Sequence, residues 1–376
     1  MDRPADPNQP SHPPTARRRV AIVDGSIDRT GALLAIVREA RLVPALEFVL
    51  IVPEANRVPD RDLADFARVI RFPVPTLRRQ WMSAASYPWR LIRDGLRLKR
   101  MLEREEIAAV QVNDFYLASA HMAKALGYSG RIVTWLRIDP AKFGAPGRLW
   151  LAIARRFSDQ LVAVSRTVAA QAPGWPAQLL YDPTPTLAPA FERGSRKFVY
   201  LGNYINGKGQ GVAVAAFERV AVADPRCELH FFGSTMGLPK NEAYKAQLEQ
   251  IARRSPGASR IHFHAAVDGA EKAFAGAYAA LNFSESESFS LTCQEASAAA
   301  LPVIATRCGG PEEIISDGET GFLIPVGDAA AAADRMLALL NDPARAEALG
   351  RAGRERVHRC FSAEEFRARL LELFNG

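Results

Sequence analysis

Two carboxylates and one ammonium carry the chemistry that can be read most directly from the chain. Glu287 and Glu295 are separated by seven residues within ALNFSESESFSLTCQEASAAALPVIATRCGGPEEII, residues 280–315. With Glu287 in a loop before a helix and Glu295 two turns inside it, both can face one ligand. Taken alone, the same spacing describes a solvated helix face, so the setting decides. An apolar segment, 280–283, ends in a polar loop, and a helix is predicted to begin near Ser290. A second apolar segment, 302–306, leads into Gly309-Gly310-Pro311 and another short helix. Two helix starts with amide N–H groups directed into one cleft bind an anion without special side chains. Upstream, Lys208-Gly209 follows a segment ending in Leu201-Gly202. A lysine there offers a compact positive charge suited to a phosphate.

Elements that can hold such groups recur along the chain. Short Val/Ile/Leu-rich segments at 19–24, 46–52, 108–113, 131–137 and 160–165 alternate with amphipathic stretches of helical length. That is the βαβ rhythm of a parallel, doubly wound sheet. Residues 182–195 interrupt it with three prolines and a Gly-Ser step, as an interdomain linker does. The rhythm resumes at 197–202, 228–233, 261–266, 279–284, 302–306 and 322–325. The expected class is therefore α/β, with two Rossmann-like domains, 18–183 and 196–361, and a ligand cleft at the C-terminal strand ends. Residues 1–17 read as a disordered tail, with five prolines before Arg17.

The C-terminal half closely resembles glycosyltransferase family 4. The family pattern is Glu-x-Phe-Gly, a second Glu followed by Ala, x-Pro-Val-Ile-Ala, then Gly-Gly-x-x-Glu. This chain has Glu287-Ser-Phe289-Ser290, Glu295-Ala296, Leu301-Pro-Val-Ile-Ala305 and Gly309-Gly-Pro-Glu-Glu313 in the same order and spacing. Leu201-Gly202-Asn203 with Lys208-Gly209, the segment 261–267 and Asp317-Gly-Glu-Thr-Gly321 extend the match over about residues 197–325. The N-terminal half shares only the strand-helix rhythm.

The resemblance implies the GT-B fold, two facing Rossmann-like domains with a cleft between them, and a last segment, 362–376, crossing back to the N-terminal domain. It implies a retaining, metal-independent glycosyltransferase using a nucleoside diphosphate sugar, UDP or GDP sugar foremost, with no cofactor. Glu295 would bind the ribose, Glu287 the donor sugar, and Lys208 the leaving diphosphate, capped by the amides of Phe289, Ser290 and Leu291. Gly202, Asn203 and Val267 would line the donor site. Developing charge on the leaving group is what a fixed ammonium and a helix N-terminus stabilise.

Three departures stand out. Asn203 replaces a usual arginine, removing one diphosphate cation, with Arg307 as a candidate substitute. Serines 288 and 290 replace glycines and are expected to be tolerated. The N-terminal domain lacks the glycine-rich loop and sugar-side histidine, leaving Asp24, Gly25, Asn113, Arg137 and Asp139 as acceptor-side candidates. These departures keep open a catalytically degraded, nucleotide- or glycan-binding scaffold.

The chain has 376 residues, 48% hydrophobic and 24% charged, as soluble globular proteins do. No apolar run is long enough for a bilayer-spanning helix, and the N-terminus carries no signal-peptide pattern, so a cytoplasmic location is expected. The four cysteines form no CxxC, and the histidines do not stand at zinc-ligand spacing around them. His262 and His264, alternating on one segment, read as structural, and His121 as a surface or cleft residue. Asp60-Arg-Asp62 reads as a helix N-cap rather than a metal string.

Charge is uneven. Residues 1–193 hold 28 Lys+Arg against 19 Asp+Glu, and the rest is slightly acidic. Thr76 to Arg104 concentrates eight basic residues among Trp81, Met82, Tyr87 and Trp89. This stretch reads either as a solvated basic helix or as an interfacial segment for an anionic membrane surface or a lipid-linked glycan acceptor. No nucleic-acid motif accompanies the charge, so nucleic acid is not an expected partner.

Overall fold

The computed structural model describes residues 17–73, 81–172, 174 and 177–375, with residues 81–85 and 375 described by backbone alone. The tail expected at 1–17 lies outside these residues except for Arg17, as do Arg78 and Arg79 of the basic stretch.

The N-terminal sheet contains β1 (Arg18–Val23), β2 (Leu46–Pro53), β3 (Arg68–Phe72), β4 (Ala109–Val112), β5 (Arg131–Leu136), β6 (Gln160–Ala163) and β7 (Gln178–Leu179). The C-terminal sheet contains β8 (Lys197–Leu201), β9 (Glu228–Phe232), β10 (Ile261–His264), β11 (Ala279–Asn282), β12 (Val303–Thr306) and β13 (Phe322–Ile324). The helices are α1 (Gly31–Leu42), α2 (Trp81–Arg104), α3 (Ala118–Ala125), α4 (Gly144–Phe157), α5 (Arg166–Ala170), α6 (Gln210–Ala223), α7 (Pro239–Arg254), α8 (Ala270–Phe274), α9 (Leu291–Ala298), α10 (Gly310–Ile314), α11 (Ala329–Asn341), α12 (Pro343–Cys360) and α13 (Ala363–Asn375).

Every strand pairs in parallel. The orders are β3-β2-β1-β4-β5-β6-β7 and β10-β9-β8-β11-β12-β13. Each order reverses direction once, between β1 and β4 and between β8 and β11. A crevice opens at such a switch point, outside the carboxyl ends of the strands. The loop with Lys208 follows β8 and the loop with Glu287 follows β11, so both leave one switch point. Asp24 and Asn113 leave the other, after β1 and β4.

Apolar runs such as LEFVLIVP in β2 are buried on both faces, as parallel strands require. Two strands had no clear sequence signal: β3, an edge strand whose exposed Arg68 and Arg71 break any apolar run, and β7, only two residues long. The halves do not fold around separate interiors alone. One buried apolar cluster joins Ile22, Val133 and Trp135 to Phe289, Ala296 and Phe374. Phe374 of α13 stacks on Trp135 of β5 with ring centroids 6.2 Å apart, so the last helix lies against the N-terminal sheet. The proline-rich segment 182–195 is fixed as well. Thr184 donates from its N–H to the Phe361 carbonyl and from its hydroxyl to that of Val357, both at 2.9 Å.

Candidate active site

Lys208 is held in place by its backbone neighbours. Tyr200, fully buried on β8, donates its hydroxyl to the Lys208 carbonyl and accepts the Phe283 N–H at 2.7 Å. One ring thus clamps the lysine loop to the end of β11. The next residue must be glycine: Gly209 has φ +75°, and a Cβ there would fall 1.9 Å from the Phe283 carbonyl oxygen. The Lys208 ammonium then reaches Glu287, Nζ to Oε1 2.6 Å.

Glu287 is braced on both sides. Its Oε1 also accepts the Ser284 hydroxyl at 2.8 Å. Its N–H donates to the Cys308 carbonyl at 3.2 Å, and its carbonyl accepts the Gly310 N–H at 2.9 Å. A Cβ on Gly310 would lie 2.4 Å from the Phe289 backbone, so the Gly-Gly step lets the two loops touch.

Ser290 caps α9 with φ +82°, the left-handed region where the family has glycine. Expected tolerance there takes a specific form. The Ser290 and Thr292 hydroxyls accept from Asn282 Nδ2 at 3.1 and 2.9 Å, which offsets part of the backbone strain. Phe289 turns inward, packing its ring on Tyr181 and Phe361 at 5.5 and 5.1 Å, so only its backbone faces the cleft. Leu291 opens α9 beside Gly31 of α1.

Glu295 lies on α9 about one turn in from Leu291, rather than the two turns expected, because the helix starts after the loop that carries Glu287, and it meets the other domain. Arg38 of α1 reaches it, Nη2 to Oε1 2.7 Å, with side chains only 16% and 12% exposed. Burial raises the Glu295 pKa, and Arg38 opposes that rise. Arg38 also donates to the Pro183 carbonyl at 3.1 Å and to Gln294 Oε1 at 3.4 Å.

Asn203, just past Gly202, is fully engaged: Nδ2 donates to the Arg29 carbonyl at 3.1 Å and Oδ1 accepts the Ser234 N–H at 3.1 Å. Arg307 is not drawn to the Lys208–Glu287 pair. It pairs with Asp317 at 2.6 Å, because the stereotyped turn at 317–321 lies beside its loop. The cation beside Asn203 is instead Arg29 of the first N-terminal loop, bridging Asp62 and Asp268 at 2.5 Å each. Asp62 is therefore the anchor of an interdomain bridge. The N-cap expected of Asp60-Arg-Asp62 is not formed: Pro59 precedes that short 3-10 turn without a side-chain cap. Val267 is partly buried against the shared core.

On the acceptor side, four of the five candidates converge. Asn113 donates to Asp24 Oδ2 at 2.6 Å and accepts from Arg137 Nε at 2.7 Å, while Arg137 Nη1 pairs with Asp182 at 2.9 Å. Gly25 abuts Leu117 and Tyr116. Arg137 Nη2 is a buried donor with no protein partner among the described residues. Asp139 stands apart, because its carboxylate caps the 3-10 turn at 140–143 by accepting the Ala141 N–H. Burial pushes Asp114 up to about 8, and Glu39, hydrogen-bonded to Gln111, also up to about 8. His121 is not a surface or cleft residue. It is fully buried against Thr134 at 2.8 Å, and burial lowers its pKa to about 3.

Three cross-cleft contacts had no local sequence signal. Lys142 reaches the Ser286 hydroxyl at 3.0 Å. Ser165 donates to the Ser288 carbonyl at 2.5 Å. Glu313, the last residue of Gly-Gly-Pro-Glu-Glu, accepts from the Arg166 and Thr167 N–H groups, the Thr167 hydroxyl and the Tyr181 hydroxyl. Its carboxylate caps α5 of the other domain.

Residues 188–356 match the family model for glycosyl transferases group 1. That match lies in the C-terminal half of the chain. Phosphatidyl-myo-inositol mannosyltransferase of Mycobacterium leprae is 33% identical over 181 residues, 46% of this chain and 45% of that one. N-acetyl-alpha-D-glucosaminyl L-malate synthase of Bacillus anthracis is 42% identical over 85 residues, 23% of this chain and 22% of that one. The chain thus spans less than half the length of these relatives. Among solved structures, Anabaena HepE in complex with UDP-glucose superposes with a TM-score of 0.78 at 16% identity, covering 95% of this chain and 99% of that one. Sucrose-phosphate synthase of Thermosynechococcus elongatus gives 0.78 at 19% identity, covering 96% and 98%. The whole chain therefore has the GT-B fold, and the motifs of its C-terminal half resemble those of family 4.

Proposed function

We propose that the protein is a glycosyltransferase that moves a sugar from a nucleoside diphosphate donor, UDP or GDP sugar foremost, to a glycan or lipid-linked glycan, with retention at the anomeric carbon. The observation that carries this reading is the Lys208–Glu287 pair at the mouth of α9, with Glu295 about one turn inside that helix. When the donor binds, the ammonium that now holds Glu287 has donors left for the diphosphate, and the α9 amides face the same charge. As the bond to the leaving group lengthens, negative charge grows on phosphate oxygens, and these fixed groups stabilise it without reorganising. Glu287 orients the transferring sugar, and the leaving phosphate takes the acceptor proton on the same face. The reading calls for no metal at this step.

A thermal-shift panel of UDP, GDP, ADP and their sugars tests the donor. A ligand at 100 times its Kd adds about 2.7 kcal/mol of stability. No shift with any of them would overturn the reading. A second reading, a nucleotide- or glycan-binding scaffold subunit, is favoured by Asn203 and by the engagement of Glu295 by Arg38. Sugar-nucleotide turnover in a mixed-acceptor screen separates the two.

The basic stretch supports an acceptor at an anionic membrane surface, with the enzyme on its cytoplasmic face and a role in bacterial surface polysaccharide assembly. No helix among the described residues is long and apolar enough to cross a membrane. On α2, Tyr87, Leu91, Leu98 and Leu102 are buried, whereas Trp89 is 77% exposed. Asp94 pairs with Arg93 and Arg97, and Glu103 with Lys99, which reduces the charge on offer. Cosedimentation is expected with anionic but not neutral vesicles, weakened by salt and by Trp89→Ala. Equal, negligible binding to both would make a soluble acceptor the better reading.

A further inference from the structure

The imidazoles that alternate along β10 have a use that the donor site does not absorb. His262 lies directly across from His230 of β9 in the parallel register, and Glu228, two residues earlier on β9, points to the same face. The ligand atoms of Glu228, His230 and His262 all lie within 4.8 Å of one another. His230 Nε2 is 3.0 Å from Glu228 Oε2, and the His230 and His262 rings are 4.5 Å apart. Two ligands about 2.0 Å from a tetrahedral zinc ion stand about 3.3 Å from each other, so this spacing needs little adjustment.

A fourth group supplies the orientation that such sites depend on. His230 Nδ1 is 3.0 Å from His264 Nε2, so the nitrogen facing away from Glu228 already has a partner. A neutral histidine ligates through Nε2 only as the Nδ1–H tautomer, and His264 is the acceptor which that tautomer requires. Lys197, whose charge also reaches these rings, is held by the Ala273 and Ala275 carbonyls.

We propose that Glu228, His230 and His262 form a zinc site at the free edge of the C-terminal sheet, with His264 positioning His230 and a water completing the coordination. Two imidazoles and a carboxylate suit zinc and are a poor donor set for the oxygen-seeking cations magnesium and calcium. Glu228 is the first residue of β9 and His262 the second of β10, whereas the donor cleft lies beyond the last. The ion therefore sits along the N-terminal and middle part of these two strands, away from the loops that carry Lys208 and Glu287, and takes no part in sugar transfer. It ties β9 to β10, the outermost strand.

The test uses the full chain without a histidine tag, stripped with chelator and free of nucleotide. Zinc chloride is titrated calorimetrically, and cobalt(II) serves as an absorption probe of tetrahedral geometry. About one equivalent should bind saturably, with a zinc-dependent rise in Tm. His262→Ala and exposed Glu228→Gln should each weaken binding at least about 10-fold, and His264→Ala by about 10-fold as loss of an orienting partner. A Cys308→Ser, Cys360→Ser double variant should bind as the unaltered chain does. Circular dichroism establishes that each variant is folded. Absence of saturable binding, unchanged affinity in folded His262→Ala and Glu228→Gln, or loss confined to the cysteine variant would each overturn the proposal.

Discussion

Removing Arg38 should expose how strongly the two domains are coupled through Glu295. The pair is 2.7 Å long and lies between side chains that are almost enclosed. Arg38→Met keeps the aliphatic packing of α1 but leaves the Glu295 carboxylate buried without its cation. Breaking one partner of a buried pair costs about 3–5 kcal/mol when the other stays charged. Glu295 has an escape, because it can take up a proton. Burial already raises its folded pKa above the ordinary value of 4.5, and loss of Arg38 raises it further. The folded state then holds a proton that the unfolded chain has released. Stability must therefore fall as pH rises from the unfolded value to the folded one. The loss in Arg38→Met is expected to be about 3 kcal/mol at pH 8 and about 1 kcal/mol at pH 5. Glu295→Gln alone should lose about 3 kcal/mol at both pH values, since Arg38 cannot shed its charge and keeps only the Pro183 and Gln294 oxygens as partners. The double variant, with neither charge left, should lose less than Glu295→Gln and show little pH dependence. Urea unfolding of all four proteins at both pH values completes the cycle. Effects that add within about 0.5 kcal/mol, or a loss in Arg38→Met that ignores pH, would refute the coupling.

Lys208→Ala is expected to lower kcat by about 100-fold, like loss of one preorganised donor, and steady-state rates near those of the unaltered enzyme would remove Lys208 from the chemistry. Ser290→Gly should be more stable than Ser290→Ala by about 1 kcal/mol, because glycine relieves the positive φ whereas alanine keeps it and loses the hydroxyl contact; the reverse order in urea midpoints would show that the cap is not strained. Glu295→Ala should weaken UDP binding by about 10-fold or more, for lost charged hydrogen bonds to hydroxyls, and unchanged affinity by calorimetry in a folded variant would take Glu295 out of the nucleotide site. Glu39, with its pKa pushed up to about 8, is protonated in the fold and ionised in the unfolded chain between about pH 4.5 and 8, so stability declines across that window. Glu39→Gln should be the more stable protein at pH 8 with a shallower slope, and an unaltered slope in thermal melts would assign the pH dependence elsewhere, Asp114 first.

What the sequence revealed and what it withheld divide along one physical line. Six apolar segments in the C-terminal half became β8 to β13, because a strand buried on both faces has to be written as a continuous apolar run. Lys208, Glu287 and Glu295 were legible for a similar reason: each stands at a fixed offset from a strand end, a glycine or a helix start, and those offsets are local. The groups that answer them are not local. Arg38 is 257 residues from Glu295, Lys142 is 144 from Ser286, and Glu313 caps a helix 146 residues before it. Nothing around an exposed-looking arginine on α1 announces that its helix will be laid against α9. The Asn203 position makes the point most sharply. Read along the chain, it is a missing cation, and a neighbour such as Arg307 is the natural place to look for a replacement. In the folded protein the nearby arginine comes from the other domain, where Arg29 presents its carbonyl to Asn203 and its guanidinium to Asp62 and Asp268. The residues proposed for the donor are thus inscribed in one stretch of sequence, while control over how the cleft is held shut is distributed over both domains. Substitutions at Arg29 or Arg38 act on that closure without touching any of the motifs by which the site is recognised, whereas Glu313 acts on it from inside one of them.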